Sequence, residues 1–155
     1  MRAIIQRVLN AQVTVKNQTV GKIGSGFLIL LGVASGDAVA DAALLARKTV
    51  SLRIFSDQND KMNLSLLDVK KEALVVSNFT ICADTTHGNR PSFMRAAEPD
   101  LALALYNSYC EYLKKEGVQK IERGIFGADM QVQLLNDGPV TIILDTNDWR
   151  KKHDN

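Results

Sequence analysis

Phe27-Leu28-Ile29-Leu30-Leu31 is an uninterrupted apolar run bounded by Gly26 and Gly32. A run this short, with a glycine at each end, suits a strand buried on both faces. The rest of the chain must therefore supply cover on both sides of it. Other strands are legible around it. Ala3 to Val8, Gln12 to Lys16 and Thr19 to Ile23 are short β-branched runs, with Asn17-Gln18 as a tight turn. Strands resume at Leu74 to Cys82, Val118 to Arg123, Met130 to Leu135 and Val140 to Leu144. Asn136-Asp137-Gly138-Pro139, between the last two, is a strong turn signal.

Two helices interrupt these strands. Asp37 is placed to cap one that runs to about Ser51, with Val39, Ala43, Ala46 and Val50 at helical spacing and Asp41, Arg47 and Lys48 on other faces. Pro99 opens the second, Leu103, Tyr106, Cys110 and Leu113 form its stripe, and Lys114 and Lys115 precede Gly117. Strand runs with two inserted helices predict an α+β fold in a single compact domain. Residues 83–97 are polar and aperiodic, the kind of irregular segment that often carries function.

A chain of 155 residues fits one domain with a proper core. Its 19 basic and 17 acidic residues leave a net charge of +2, which neither announces nor excludes a nucleic-acid partner. Cys82 and Cys110 have no metal-ligand or CxxC spacing and read as reduced, packed thiols. No segment approaches the ~18 apolar residues of a membrane helix, and the opening Met1-Arg2-Ala3-Ile4-Ile5-Gln6-Arg7 lacks the pattern of an export signal. The expectation is a cytoplasmic protein.

The familiar catalytic signatures are missing. There is no GxSxG elbow, Walker loop, HExxH or GxGxxG after a strand, and Gly21, Gly24 and Gly26 read as hairpin punctuation. His87 and His153 are the only histidines, too few for a metal centre or an ordinary Ser-His-Asp triad. Cys82 has no base near it in sequence, and His87 reads as a solvated loop residue. An enzyme made from this chain, with no metal and no cofactor, must use backbone groups, hydroxyls or the substrate itself.

Ser77-Asn78-Phe79-Thr80-Ile81 and Asn136-Asp137-Gly138-Pro139-Val140-Thr141 resemble SQxTL and NxGPVT, the two signature motifs of D-aminoacyl-tRNA deacylases. The likeness also takes in Met1 to Val8, Leu52 to Phe55, Lys61 to Ser65, Arg90 to Phe93 and Phe126 to Met130, and ends at Asp145. It implies one deacylase domain over residues 1–145, followed by a basic tail over 146–155; the terminal position of Lys151 to Asn155 makes fraying the expectation there. It implies helices packed on one side of curled sheets, and a homodimer whose active sites are built across the subunit boundary. The reaction implied is hydrolysis of the ester between a D-amino acid, or mischarged glycine, and the tRNA acceptor end.

The resemblance assigns Thr80 and Ser77 to the active site, with Phe79 and Phe126 as pocket residues. Gly138 and Pro139, joined by a cis bond in the family, exclude an L side chain from the partner subunit's site, and Arg7 holds them in place. Such exclusion selects a configuration while leaving the side chain free to vary. The terminal ribose 2′-OH assists catalysis, while the protein positions the ester and stabilises the developing oxyanion. Asn78 departs from the usual Gln by one methylene, so a hydrogen bond through that side chain needs a water or a shifted strand. Arg90, Arg150, Lys151, Lys152 and the pair Lys70-Lys71 are candidates for tRNA phosphates, although solvated surface charge is the plain reading of each.

Two other readings stand beside this one. A related animal deacylase carries PQATL and TNGP, against which Ser77 and Val140-Thr141 argue. An idle RNA-binding module is the other, but both motifs are kept here and the sequence offers no partner domain for such an appendage. Since no metal is implied, deacylation by this protein is expected to survive EDTA unchanged; loss of activity on chelation, measured with labelled D-tyrosyl-tRNA, would reveal a metal site.

Overall fold

The computed structural model describes residues 1–150. Its frame is β1 (Arg2–Val15), which pairs antiparallel with β3 (Gly26–Gly32) through its first half and with β2 (Gln18–Ile23) through its second. The other edge of β1 carries β8 (Gln131–Asp145), antiparallel over nearly the full length. β6 (Glu72–Ser77) adds parallel to β3, and β7 (Ile121–Arg123) parallel to β6. A separate ribbon joins β4 (Phe55–Ser56) to β5 (Met62–Leu64). The helices α1 (Val39–Val50) and α3 (Pro99–Lys115) pack together on one face of the large sheet, with two single turns, α2 (Leu66–Val69) and α4 (Asn147–Arg150). This is an α+β domain. No helix among the described residues is long and apolar enough to cross a membrane.

The apolar run of β3 is covered from both sides. Phe27, Ile29 and Leu31 join Leu45 of α1 and Leu105, Tyr109 and Leu113 of α3 in the main core. Leu28 faces the other way, into a second cluster with Val8, Val13, Leu74 and Val76. Gly26 is required where β3 meets β6, since a Cβ there would lie 1.9 Å from the Glu72 carbonyl oxygen. Polar atoms inside the core are paired: Thr49 donates to the Leu45 carbonyl at 2.8 Å, so the Tyr109 hydroxyl donates to Thr49, also at 2.8 Å.

The two chain ends meet. The buried Met1 amino group donates to Asp37 Oδ1 and to Thr146 Oγ1, each at 2.7 Å. Arg150 then reaches Asp41, at 2.9 Å from its Nε, and Asp37, so it is engaged in ion pairs within the domain. Lys151, Lys152 and His153, and the expected fraying of that stretch, lie outside the described residues.

Several elements differ from the sequence expectation, each for a physical reason. The runs Ala3 to Val8 and Gln12 to Lys16 are one strand, because β8 pairs with β1 through the interval between them. Asp37 does not cap α1; its carboxylate is taken by Met1 and by the Ala34 amide at 2.7 Å, and Asp41 accepts the Ala38 amide instead. Asp41 therefore faces inward, and the buried stripe is Ala42, Leu45, Ala46, Thr49 and Val50, with Val39 exposed. In α3 the exposed Leu103 gives way to Leu105 and Tyr109. β6 stops at Ser77, and Phe79–Cys82 forms a 3-10 turn.

Gly26→Ala is expected to destabilise the protein by about 2 kcal/mol or more, because backbone faces the added methyl group. A urea midpoint equal to that of the native protein would contradict the close approach. Burial raises the Asp41 pKa, but the Arg150 hydrogen bond, the Ala38 amide and the nearby charge outweigh it and hold the carboxyl below its ordinary 3.8. A depressed carboxyl stabilises the fold above its unfolded pKa and loses that contribution as pH falls through the folded value. The stability gap between native protein and Arg150→Ala should accordingly be full at neutral pH and narrow below pH 3.8; a gap that widens on acidification would be the wrong sign.

Candidate active site

Register builds the first part of the site. Gln6 pairs with Thr141 and Val8 with Asn136, so the four residues 137–140 of β8 stand opposite Arg7 alone. They cannot all remain in the ladder, and the surplus bulges out of it. Asn136-Asp137-Gly138-Pro139 is therefore not a hairpin turn, because both halves of β8 continue along the same partner strand. Gly138-Pro139 is a cis peptide, and both residues are exposed.

Arg7 fastens this bulge to the body of the domain. Its side chain is only 11% exposed and lies 3.2 Å from the Asp137 carboxylate. Nε donates to the Asp137 carbonyl at 3.1 Å, and Nη1 donates to the Ile54 carbonyl at 2.5 Å. The backbone immediately before Gly138 is thus held by a guanidinium that is itself tied to another segment. Thr141, just past the bulge, donates to the side-chain oxygen of Gln6. A Cβ on Gly138 would approach only the amide end of Asn136, at 2.8 Å, so a side chain at 138 can be accommodated by rotation of its neighbour.

The second part is a cavity of about 930 Å³ beside the second apolar cluster. Leu28, Leu30 and Val76 come from the sheet, Ala102 and Tyr106 from α3, and Phe126 to Met130 from the segment between β7 and β8. Ser77, Asn78 and Phe79 line it where β6 passes into the 3-10 turn, and Gln6 lines it from β1. Its lining is mainly apolar with a few converging polar groups, as small-molecule sites usually are. Phe79 is 57% exposed and meets Phe93 edge-on, with ring centroids 5.1 Å apart. Phe126 tilts against Tyr106 at 6.0 Å.

The structure separates the residues singled out in the sequence. Ser77, Asn78, Phe79 and Phe126 share the cavity wall. Thr80 lies outside that wall, exposed, and is tied to it through Asn78. Arg7, Gly138 and Pro139 do not line the cavity of their own chain. Asn78 needs neither a shifted strand nor a water to bond: its Oδ1 accepts from the Thr80 amide at 3.2 Å and from the Thr80 hydroxyl at 2.5 Å. Gln6, Phe93 and Tyr106 also line the cavity, and no local sequence signal marks them, because long-range packing brings them there. The Asn78-to-Thr80 contact had a local signal, an Asn two residues before its donor.

Other candidate groups are accounted for elsewhere. The Cys82 thiol donates to the Val33 carbonyl at 3.5 Å, and burial pushes its pKa up, so it is a packed thiol and not an activated one. Lys71 sits over the Phe55 ring at 4.9 Å. His87 and Arg90 are exposed in the irregular segment. Among the described residues no group of three or more His, Cys, Asp or Glu side chains could hold a metal ion.

A model of the D-Tyr-tRNA(Tyr) deacylase family matches residues 4–145. The chain belongs to that family. A D-aminoacyl-tRNA deacylase of Dehalococcoides mccartyi strain CBDB1 is 53% identical over 148 residues, 96% of each chain. One from Thermosipho africanus strain TCF52B is 53% identical over 146 residues, covering 94% of this chain and 97% of the relative. Among solved structures, the c-Myc DNA unwinding element binding protein superposes with a TM-score of 0.89 at 40% identity, over 94% of this chain and 98% of its own. The family match thus spans both the cavity wall and the bulge of this deacylase-family chain.

Replacing Arg7 by Ala should strand the Asp137 and Ile54 carbonyls and cost about 2 kcal/mol or more, as hydrogen bonds to a charged donor do. Hydrogen exchange at the Gly138 and Val140 amides should rise beyond that general loss. If those amides exchange no faster than the rest of β8, Arg7 does not secure the bulge.

Proposed function

We propose that this protein is a D-aminoacyl-tRNA deacylase that hydrolyses the ester of a D-amino acid, or of mischarged glycine, on the acceptor end of tRNA. The observation that carries the reading is a mismatch within one chain. A fastened, exposed Gly138-Pro139 bulge lies outside the cavity that holds Ser77, Asn78 and Phe79. Such a bulge gains a purpose when a second copy of the chain presents it to that cavity. The main-chain oxygens of Gly138 and Pro139 then occupy the space of an L side chain, and a D side chain or the hydrogen of glycine escapes the clash.

The surface around the bulge supports a twin protomer. Leu9, Leu135 and Ile143, on β1 and β8 either side of it, are 50%, 52% and 65% exposed. A second protomer docked over the bulge would cover exposed apolar side chains on both of its flanks. On this reading the protein is a homodimer with sites shared across its axis, working in the cytoplasm where charged tRNA is used.

The chemistry suits the groups present. Ser77 lines the cavity and Thr80 is tied to its wall through Asn78, Phe79 and Phe126 shape it, and the buried Cys82 thiol is not an activated nucleophile. An aminoacyl ester is already reactive, and the ribose 2′-OH beside it can assist attack, so the protein contributes positioning and oriented dipoles.

Purified protein should release D-tyrosine from D-tyrosyl-tRNA and leave L-tyrosyl-tRNA intact. Equal hydrolysis of both esters would defeat the chirality claim, and hydrolysis of neither would leave an RNA-binding module. Gly138→Phe should abolish D-specific turnover in a protein that still folds, since Gly138 is exposed and a Cβ there closely meets only the flexible end of Asn136. Full stereoselectivity in that variant would show the exclusion element to be elsewhere.

A further inference from the structure

We infer that Asn78, one of two residues at which this chain departs from the SQxTL pattern, is a positioning residue that turns the Thr80 hydroxyl into an acceptor facing the substrate. The inference deepens the deacylase reading and rests on it.

A backbone N–H can only donate, so the Asn78 atom that meets the Thr80 amide at 3.2 Å is the carboxamide oxygen and not its nitrogen. The same oxygen lies 2.5 Å from Thr80 Oγ1. Between those two oxygens only the hydroxyl has a proton to give, so Thr80 is the donor there. A hydroxyl has one proton, and this one is committed to Asn78. Toward anything else Thr80 presents lone pairs, and it accepts from an N–H or O–H of the substrate. It is therefore not the group that donates to a developing oxyanion or protonates the departing ribose oxygen.

The shorter side chain makes this local arrangement natural. An Asn carboxamide readily reaches the amide two residues ahead, whereas the extra methylene of Gln carries its amide past that point. Asn78 lines the cavity and Thr80 is exposed outside it, so this contact is what ties the hydroxyl to the cavity wall. Arg2 steadies the far end of the same turn by donating to the Ile81 carbonyl at 3.3 Å while pairing with Asp145.

The test is a double-mutant cycle on kcat/KM for D-tyrosyl-tRNA, with amide exchange read on the same proteins. Asn78→Ala and Thr80→Val should each lower kcat/KM on the order of tenfold, the size of one or two lost neutral hydrogen bonds. Their combination should lose no more than either alone. Asn78→Asp keeps an acceptor for both Thr80 donors and should stay within about threefold of native. Multiplicative losses in the double variant would overturn the proposal. So would Asn78→Asp as impaired as Asn78→Ala, which would mean that the amide donors of Asn78 carry its effect.

In Asn78→Ala the Thr80 amide should exchange at least about tenfold faster while the buried Val75 amide keeps its native rate. A rise at both would mean general loosening and overturn the positioning role. Should the native protein release no amino acid from D-tyrosyl-tRNA, the deacylase reading fails by itself, and Thr80 exchange still decides whether the Asn78 contact exists.

Discussion

Four residues of β8 have to share the space opposite Arg7, and much of the molecule follows from that crowding. A strand that pairs in register on both sides of a surplus must expel part of it, and what stands exposed here is Gly138-Pro139, while Val140 turns back into the main core. An expelled loop ordinarily gains freedom. This one is held at its entry by a nearly buried guanidinium with acceptors on Asp137 and Ile54. Arg7 belongs to β1 and Ile54 precedes β4, so the orientation of the loop is fixed by the body of the domain rather than by its own turn preference.

The long β1 makes this possible. Its two edges are occupied along nearly their whole length, by β3 and then β2 on one side and by β8 on the other. β3, covered by helices on one face and by a second apolar cluster on the other, locks the sheet to both layers. The cavity opens beside that second cluster, where β6 ends at Ser77 and the chain tightens into the 3-10 turn. Bulge and cavity are therefore two outputs of one sheet that do not meet within a single chain. An account in which two chains complete each other's sites uses both.

The sequence revealed the elements better than their partners. The apolar run of β3, the Pro99 start of α3 and the α+β class were all legible, because each depends on local spacing. The start and stripe of α1 were misread because Asp37 looks like a cap and Asp41 like a surface charge; their real partners, Met1, Ala38 and Arg150, include two that lie more than 30 residues away. Asn136-Asp137-Gly138-Pro139 carries every mark of a hairpin, and only the pairing of both flanks with β1 reveals a bulge. Motif residues 77–79 and 126 came together as a wall, but Gln6, Phe93 and Tyr106 reach it through tertiary packing that no local pattern records.

The most direct measurement is complementation between two inactive variants. Gly138→Phe damages the bulge and leaves the cavity native; Ala102→Phe fills the cavity and leaves the bulge native. A mixed dimer would hold one site built from the undamaged cavity of one chain and the undamaged bulge of the other. Refolding the two variants together at equal concentration should restore D-specific deacylation to roughly a quarter of the native rate, as random pairing in a two-fold dimer dictates. Persistent inactivity in a mixture shown to contain mixed dimers would mean that the bulge does not serve its neighbour's cavity.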